Sequence, residues 1–252
     1  MKFLGKTCLG ILLAASAIPA PVFAQEEGDG VTAGPITVSG GVELVSDYRF
    51  RGVSLSGGDF ALQPTITVSH ESGFYAGLWG SNLEDTPAYG KTEVDLYGGY
   101  ATEIAPGTEL DVGLTYYWYP GGEKAAGPAD YFEAIGKLSH TLGPIEATGT
   151  VGYSWDQAAL GSDDNLYLGF GLAAGIPTTP VTVSAQAGYT DGALGALAPG
   201  GSYWDWSIGA SASFGPITAG VKYVDTDIPT TGVKAVDKYF DSGVIFSLGV
   251  SF

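Results

Sequence analysis

The chain has 252 residues, with 10 Lys and Arg against 27 Asp and Glu, a formal net charge of −17. That balance excludes a nucleic-acid partner, because phosphates demand clustered basic residues. Only 15% of residues are charged, below the level of about 25% usual in soluble domains. Yet nothing after residue 24 approaches the apolar run of about 18 residues that a membrane helix needs.

In chain order, Lys2 and Lys6 form a positive leader, residues 9–18 are a short apolar stretch, and Val22-Phe23-Ala24 is a cleavage pattern. Residues 1–24 are therefore predicted to be a Sec signal peptide, with the mature chain starting at Gln25. The single cysteine, Cys8, leaves with it, so neither a disulfide framework nor a thiolate metal site is expected. Loss of Lys2 and Lys6 leaves 8 basic residues against 27 acidic, a mature charge of −19. Residues 25–35 are predicted as a short periplasmic segment and 36–252 as one barrel domain.

A period of two then recurs along the chain. Ile145, Ala147, Gly149, Val151, Tyr153 and Trp155 alternate with Glu146, Thr148, Thr150, Gly152, Ser154 and Asp156. Strict alternation at this length predicts strands with one apolar face. About twelve such segments start near Ile36, Phe60, Phe74, Thr92, Glu109, Asp130, Ile145, Asn165, Val181, Trp204, Ile217 and Gly243. Each is roughly 9 to 14 residues, enough to cross a bilayer at a tilt and longer than most soluble strands.

The connections alternate in length. Residues 71–73, 105–107, 142–144, 176–180 and 215–216 are short, while 53–59, 84–91, 120–129, 157–164, 191–203 and 225–242 are longer. Short periplasmic turns and long external loops are the outer-membrane pattern. The prediction is an all-β, transmembrane, antiparallel up-and-down barrel of about twelve strands with both ends in the periplasm. A soluble sandwich or lipocalin-like barrel explains neither the strand length nor the loop alternation. Aromatic residues beside the long loops, among them Tyr48, Phe50, Tyr116, Trp118, Tyr153, Trp155, Tyr189, Trp204, Trp206 and Tyr223, read as a girdle at the headgroup level. Phe252 ends the chain on the apolar face, which suits recognition by the barrel-insertion machinery.

Catalytic residue types are few. His70 and His140 both fall beside short turns, with no nucleophile motif near them, and they read as interfacial turn residues rather than members of an enzyme site. Asp163-Asp164 and Asp225-x-Asp227 carry the oxygen ligands Ca²⁺ prefers. Without a Ca²⁺-binding motif around them, they read as solvated loop charge. No cofactor is expected.

Charges inside a barrel are more telling, because a charge facing lipid near mid-depth costs a few kcal/mol. If the first strand continues through Tyr48 and Phe50, then Asp47, Arg49 and Arg51 face inward. The same parity turns Glu93, Asp95, Glu133 and Lys137 inward. Topology places Arg49, Arg51, Glu93, Asp95 and Glu133 in the external half of the lumen. Two guanidiniums among several carboxylates are expected to form a charge-assisted network, serving either as a charge-filtering constriction or as a salt-bridged plug.

These residues carry a resemblance. The runs Ser46-Asp47-Tyr48-Arg49-Phe50-Arg51-Gly52, 70–82 (HESGFYAGLWGSN), 93–100 (EVDLYGGY), 112–121 (VGLTYYWYPG) and Tyr131-Phe132-Glu133 resemble, in that order, the TorF family. This is a proteobacterial group classed as porins and long catalogued as of unknown function. The motifs lie in the first half of the mature chain. Arg49 stands where that family's Tyr-x-Phe-Arg-Gly is expected to carry an apolar or small residue. The resemblance implies an outer-membrane barrel and passive diffusion, without naming a solute.

The reading from the residues adds direction. Acidic loops at the mouth would concentrate cations, so a weakly cation-preferring channel for small hydrophilic solutes or ions is expected. The alternative is a closed structural or surface-interaction barrel with no transport. The expected surroundings are the bilayer and lipopolysaccharide of a Gram-negative outer membrane.

Overall fold

A computed structural model describes residues 30–252; the predicted signal peptide and residues 25–29 lie outside the described residues. Twelve long strands follow one another in chain order: β1 Ile36–Val45, β2 Ala61–His70, β3 Phe74–Thr86, β4 Gly90–Ala105, β5 Thr108–Trp118, β6 Tyr131–Leu142, β7 Ile145–Gln157, β8 Asp163–Gly175, β9 Val181–Gly192, β10 Ser202–Phe214, β11 Ile217–Thr226 and β12 Gly243–Ser251. Each pairs antiparallel with its sequence neighbour, and β12 pairs antiparallel with β1 through Leu248 opposite Leu44. The sheet is thus a closed twelve-stranded barrel with no free edge, the arrangement that satisfies every strand without water.

Alternation fixes the two faces. Phe74, Leu142, Ile208 and Phe246 are each more than 60% exposed, within an apolar outer surface that spans all twelve strands. A soluble monomer rarely shows an apolar patch beyond a few hundred Å², so the outer face is built for hydrocarbon. None of the helices among the described residues is long and apolar enough to cross a membrane. Tyr153, Trp155, Trp204, Trp206 and Tyr223 point outward near the long-loop end, where the girdle was expected.

Three details depart from the sequence reading. β3 and β4 run on to a Thr86–Gly90 pairing beyond a bulge, so the loop expected over 84–91 shrinks to 87–89. Residues Val31–Ala33 of the segment expected to be periplasmic form a short strand on Ile36–Val38 of β1. The third departure shapes the lumen. β1 stops at Val45, and residues 46–60 turn inward as a hairpin whose arms, Arg49–Phe50 and Val53–Ser54, pair with each other alone. Tyr48 and Phe50 therefore leave the girdle: Tyr48 is 5% exposed and packs on Trp79 with ring centroids 5.3 Å apart, and Phe50 meets the Tyr117 ring edge-on at 6.0 Å.

Candidate functional site

The inward hairpin organises the long-loop half of the lumen. Asp47 holds its base: Oδ1 accepts from Ser54 Oγ at 2.5 Å and Ser56 Oγ at 3.1 Å, while Oδ2 pairs with Arg49 Nε at 2.6 Å. Ser56 Oγ also accepts the Tyr48 N–H at 2.9 Å. Its tip is the two-residue turn Arg51-Gly52, both at positive φ (+49° and +79°), as a type I′ turn requires. Gly52 is needed twice over, since a Cβ there would also strike Thr226 and press on Asp205.

Arg51 reaches across the barrel. The hairpin leaves β1, yet its tip guanidinium donates from Nη2 to Glu133 Oε1 on β6 at 2.5 Å and lies 4.3 Å from the centre of the Tyr167 ring on β8. Side-chain exposures of 1% for Arg51 and 0% for Glu133 put this ion pair in the interior. Tyr117 OH donates to the second oxygen of Glu133 at 3.1 Å, so the carboxylate is held at both atoms. Each charged group finds a counterpart, which is what makes burial of charge tolerable.

The sequence-predicted site residues thus fall into three places. Arg51 and Glu133 form one pair. Arg49 and Asp47 form another at the hairpin base, with Arg49 Nη1 also donating to the carbonyls of Asp241 (2.6 Å) and Gly52 (3.1 Å). Glu93 and Asp95 stand apart on β4: Glu93 Oε1 accepts from Tyr119 OH at 2.9 Å, and neither oxygen of Asp95 has a protein partner. The expected single network is therefore two separate pairs and an isolated acidic strand face. The reason is the hairpin, which carries both arginines on one short element and spends one of them on its own base.

Other residues with a part in the lumen were not among the predicted site residues. Tyr117, Tyr167, Asp205 and Lys222 face inward on β5, β8, β10 and β11; Tyr117 lies in the 112–121 run, and for the other three the inward parity of their strands was the only signal. Above the hairpin, residues 227–242 fold across the mouth. Ser54 N–H donates to Tyr239 O at 2.6 Å, Thr226 Oγ1 donates to Phe240 O at 3.0 Å, and Lys238 Nζ reaches Glu84 Oε1 at 2.8 Å. Val53, Ala198, Tyr203, Ile228 and Phe240 pack together beneath this cover.

The remaining candidates sit elsewhere. His70 Nδ1 lies 2.7 Å from Ser72 Oγ and accepts the Ser72 N–H, a contact within one exposed turn. His140 Nδ1 lies 2.9 Å from Thr108 Oγ1. Among the described residues no carboxylate orients either ring, the third element a nucleophile–base pair uses. Asp163 and Asp225 cap backbone N–H groups, Asp164 and Asp225 accept from Tyr153 and Tyr223, and Asp227 accepts the Trp204 N–H. Among the described residues no group of three or more His, Cys, Asp or Glu side chains could hold a metal ion.

Three comparisons with known proteins bear on this geometry. A family model described as "Bacterial protein of unknown function (Gcw_chp)" matches residues 29–252. No functionally curated protein matches the chain. Similar solved structures include the NanC porin, at 12% identity and TM-score 0.57, covering 86% of this chain and 99% of that one. A KdgM porin solved with disordered oligogalacturonate is similar at 6% identity and TM-score 0.55, covering 85% and 97%. An outer-membrane channel from Pseudomonas putida F1 is similar at 10% identity and TM-score 0.50, covering 88% and 97%. At these identities the likeness is one of fold: the closed antiparallel barrel is the one these porins and this channel share.

Proposed function

Because the chain belongs to the Gcw_chp family of bacterial proteins of unknown function, we propose on the architecture of its lumen that it is an outer-membrane porin-like channel. The observation that carries this reading is a closed barrel with an apolar outer face and inward charges, including Glu43, Lys222, Lys137 and Glu146, left partly exposed toward the short-turn end. Ionisable groups left partly exposed in the interior are groups that a water-filled passage solvates. The Arg51–Glu133 pair and the hairpin narrow the passage on the external side, so the permeants are ions and small hydrophilic solutes. The ordered motifs from Ser46 to Glu133 support a kinship with the TorF porins. The outer leaflet surrounding its loops is lipopolysaccharide, and Phe252 is the signal read by the insertion machinery.

Cation preference follows from charge. The long-loop ends of the strands carry Asp156, Asp163, Asp164, Asp191 and Asp225, and the loop above them carries Asp241; focused negative potential at a mouth enriches cations there. Purified protein in a planar bilayer should pass current, and under a KCl gradient its reversal potential should take the sign for cations. The preference should shrink at high salt, where the Debye length falls to about 3 Å at 1 M. A reversal potential of the opposite sign would refute the preference.

One observation favours a second reading. With Arg51 and Glu133 buried to 1% and 0% exposure, the hairpin fills the centre of the lumen as a plug does. A barrel that inserts into the bilayer, keeps its heat-modifiable mobility and carries no current would establish that reading instead.

A further inference from the structure

The hairpin is bound to itself more firmly than to the barrel. Inside it, the two arms pair with each other, and Asp47 joins Ser54, Ser56 and Arg49. Leu55 N–H donates to Tyr48 O at 2.8 Å, and Ser56 Oγ donates to Asp59 O at 2.7 Å. Among the described residues, two polar contacts join residues 47–59 to the wall: Arg51 to Glu133, and the Glu84 N–H to Leu55 O at 2.9 Å. Two more, Ser54 to Tyr239 and Arg49 to Asp241, run to the loop over the mouth. The rest of the hold is ring packing, Tyr48 on Trp79 and Phe50 on Tyr117. No ladder of the barrel passes through the hairpin, so it can leave its seat without opening the wall.

The seat itself is polar and badly satisfied by its occupant. Gly152 makes room for the tip: a Cβ there would lie 3.0 Å from Glu133 Oε1 and 3.1 Å from Arg51 Nη2. Yet Arg51 Nε and Nη1 are buried without a protein partner, and so are Ser154 Oγ, Asn165 Nδ2, Thr190 Oγ1 and Asp205 Oδ2. These wall residues surround the tip's contacts, with Ser154 opposite Asn165, Thr190 opposite Tyr167, and Asp205 opposite Gly188. On the other flank Tyr48 OH, Glu93 Oε2 and both oxygens of Asp95 are in the same condition. A buried donor or acceptor left without a partner has lost its hydration with no return. The seated hairpin therefore keeps water from a wall whose side chains are suited to it, and its withdrawal gives that hydration back.

Resting on the porin reading above, we propose that the hairpin is a gate. Seated, with the Arg51–Glu133 pair as its latch, it closes the lumen. Withdrawn as one body with the loop over the mouth, it admits water to the polar wall and the barrel conducts.

Cysteine labelling in vesicles, together with planar-bilayer recording, tests this, since the sequence contains no cysteine beyond Cys8. Thr190→Cys and Ser154→Cys each place a thiol on the wall around the tip, at positions with 0% exposure. Ser39→Cys, 6% exposed at the short-turn end, is the control. A water-soluble maleimide should modify the two wall thiols in the full chain slowly but completely. In a chain whose residues 49–54 are replaced by Gly-Gly it should do so about 10- to 1,000-fold faster, the range for an open state populated at about 0.1–10%. Ser39→Cys should react equally in both. Wild-type current should come in openings to a level that the shortened chain holds continuously. Glu133→Gln, which breaks the latch, should speed modification of Thr190→Cys about tenfold or more. Heat-modifiable mobility confirms that each variant is folded. If the shortened chain does not fold, Glu133→Gln decides alone, and an unchanged rate overturns the gate. A Thr190→Cys thiol that never reacts in the full chain makes the hairpin a fixed plug and also overturns it. Steady wild-type current at the level of the shortened chain overturns the gate and leaves the porin reading standing. A folded shortened chain that passes no current removes both.

Discussion

Arg51 occupies a backbone conformation that argues for its side chain. At φ +49° an L-residue other than glycine is disfavoured, by about 1–2 kcal/mol, and Asn-Gly or Gly-Gly would suit a type I′ turn better. An arginine held there is kept for its guanidinium, the group that meets Glu133 and Tyr167 on the opposite wall. Removing one partner of a buried pair leaves the other charge uncompensated, at a cost of about 3–5 kcal/mol, whereas replacing both by apolar groups is often neutral. Arg51→Ala should therefore destabilise the folded barrel strongly, and Arg51→Met combined with Glu133→Leu should recover most of the loss. Urea unfolding in lipid vesicles measures both. A double variant as unstable as the single would show that the ion pair is not what anchors the tip.

At the scale of elements, the hairpin and the loop over it form one unit, joined by Ser54 to Tyr239 and by Arg49 to Asp241. That loop is pinned by Asp237. Its Oδ1 accepts from Thr231 Oγ1 at 2.6 Å and Thr231 N–H at 2.7 Å, and its Oδ2 accepts the Gly232 N–H at 2.9 Å. The Thr231 hydroxyl first, then the two N–H groups, hold the Asp237 carboxyl below its ordinary range. A depressed carboxyl pKa contributes order that is present above the unfolded value and is lost as pH falls through the folded one. Amides of Thr231 and Gly232 should thus exchange slowly at neutral pH and, after correction for intrinsic rates, faster once the pH has fallen well below the ordinary Asp value of about 3.9. Asp237→Asn should show the faster exchange at neutral pH. Protection that is insensitive to both changes would remove Asp237 from this role. The hairpin was also the element least legible in the sequence. From Asp47 to Arg51 polar and apolar residues alternate as they do in the wall, and period two cannot tell a strand in the wall from a hairpin inside it. The parity put Asp47, Arg49 and Arg51 on the lumen side while wrongly sending Tyr48 and Phe50 to lipid. The contrary signals were Arg51-Gly52, a turn pair, and Ser54-x-Ser56-Gly57-Gly58, which no spanning strand would carry. The twelve wall strands were legible because lipid on one side and lumen on the other enforce alternation at every position. Partners inside the lumen were not, since Arg51 and Glu133 lie 82 positions apart in sequence and meet only after closure.

For the molecule as a whole, closure is the decisive step, and it depends on the chain's last residue. The β12–β1 ladder has Val45, Leu44, Glu43, Val42 and Gly41 in register with Ser247 to Ser251, while β1–β2 is in register from Ile36 to Val45. The shorter seam is finished at both ends. At the long-loop end Ser46 N–H donates to Phe246 O, and Phe246 N–H donates to Ser46 Oγ, each at 2.9 Å. At the short-turn end Phe252 exchanges two backbone bonds with Gly40, at 3.0 and 2.9 Å, beside the point where Val31–Ala33 takes over the β1 edge. The backbone and the ring of Phe252 therefore do different things. The backbone closes the seam, and an unsatisfied amide group facing lipid costs several kcal/mol. The ring is 53% exposed on the outer face and adds little to the folded barrel's own packing. Deletion of Phe252 should thus lower the temperature at which the barrel loses its heat-modifiable mobility. Phe252→Ala keeps the backbone bonds and should refold into vesicles much as the wild type does. On the proposal that the insertion machinery reads this ring, Phe252→Ala should accumulate unassembled in the periplasm of cells. Equal loss of folding in vesicles for the alanine variant and the deletion would mean that the ring serves the seam itself, and equal assembly in cells for Phe252→Ala and the wild type would mean that nothing reads it.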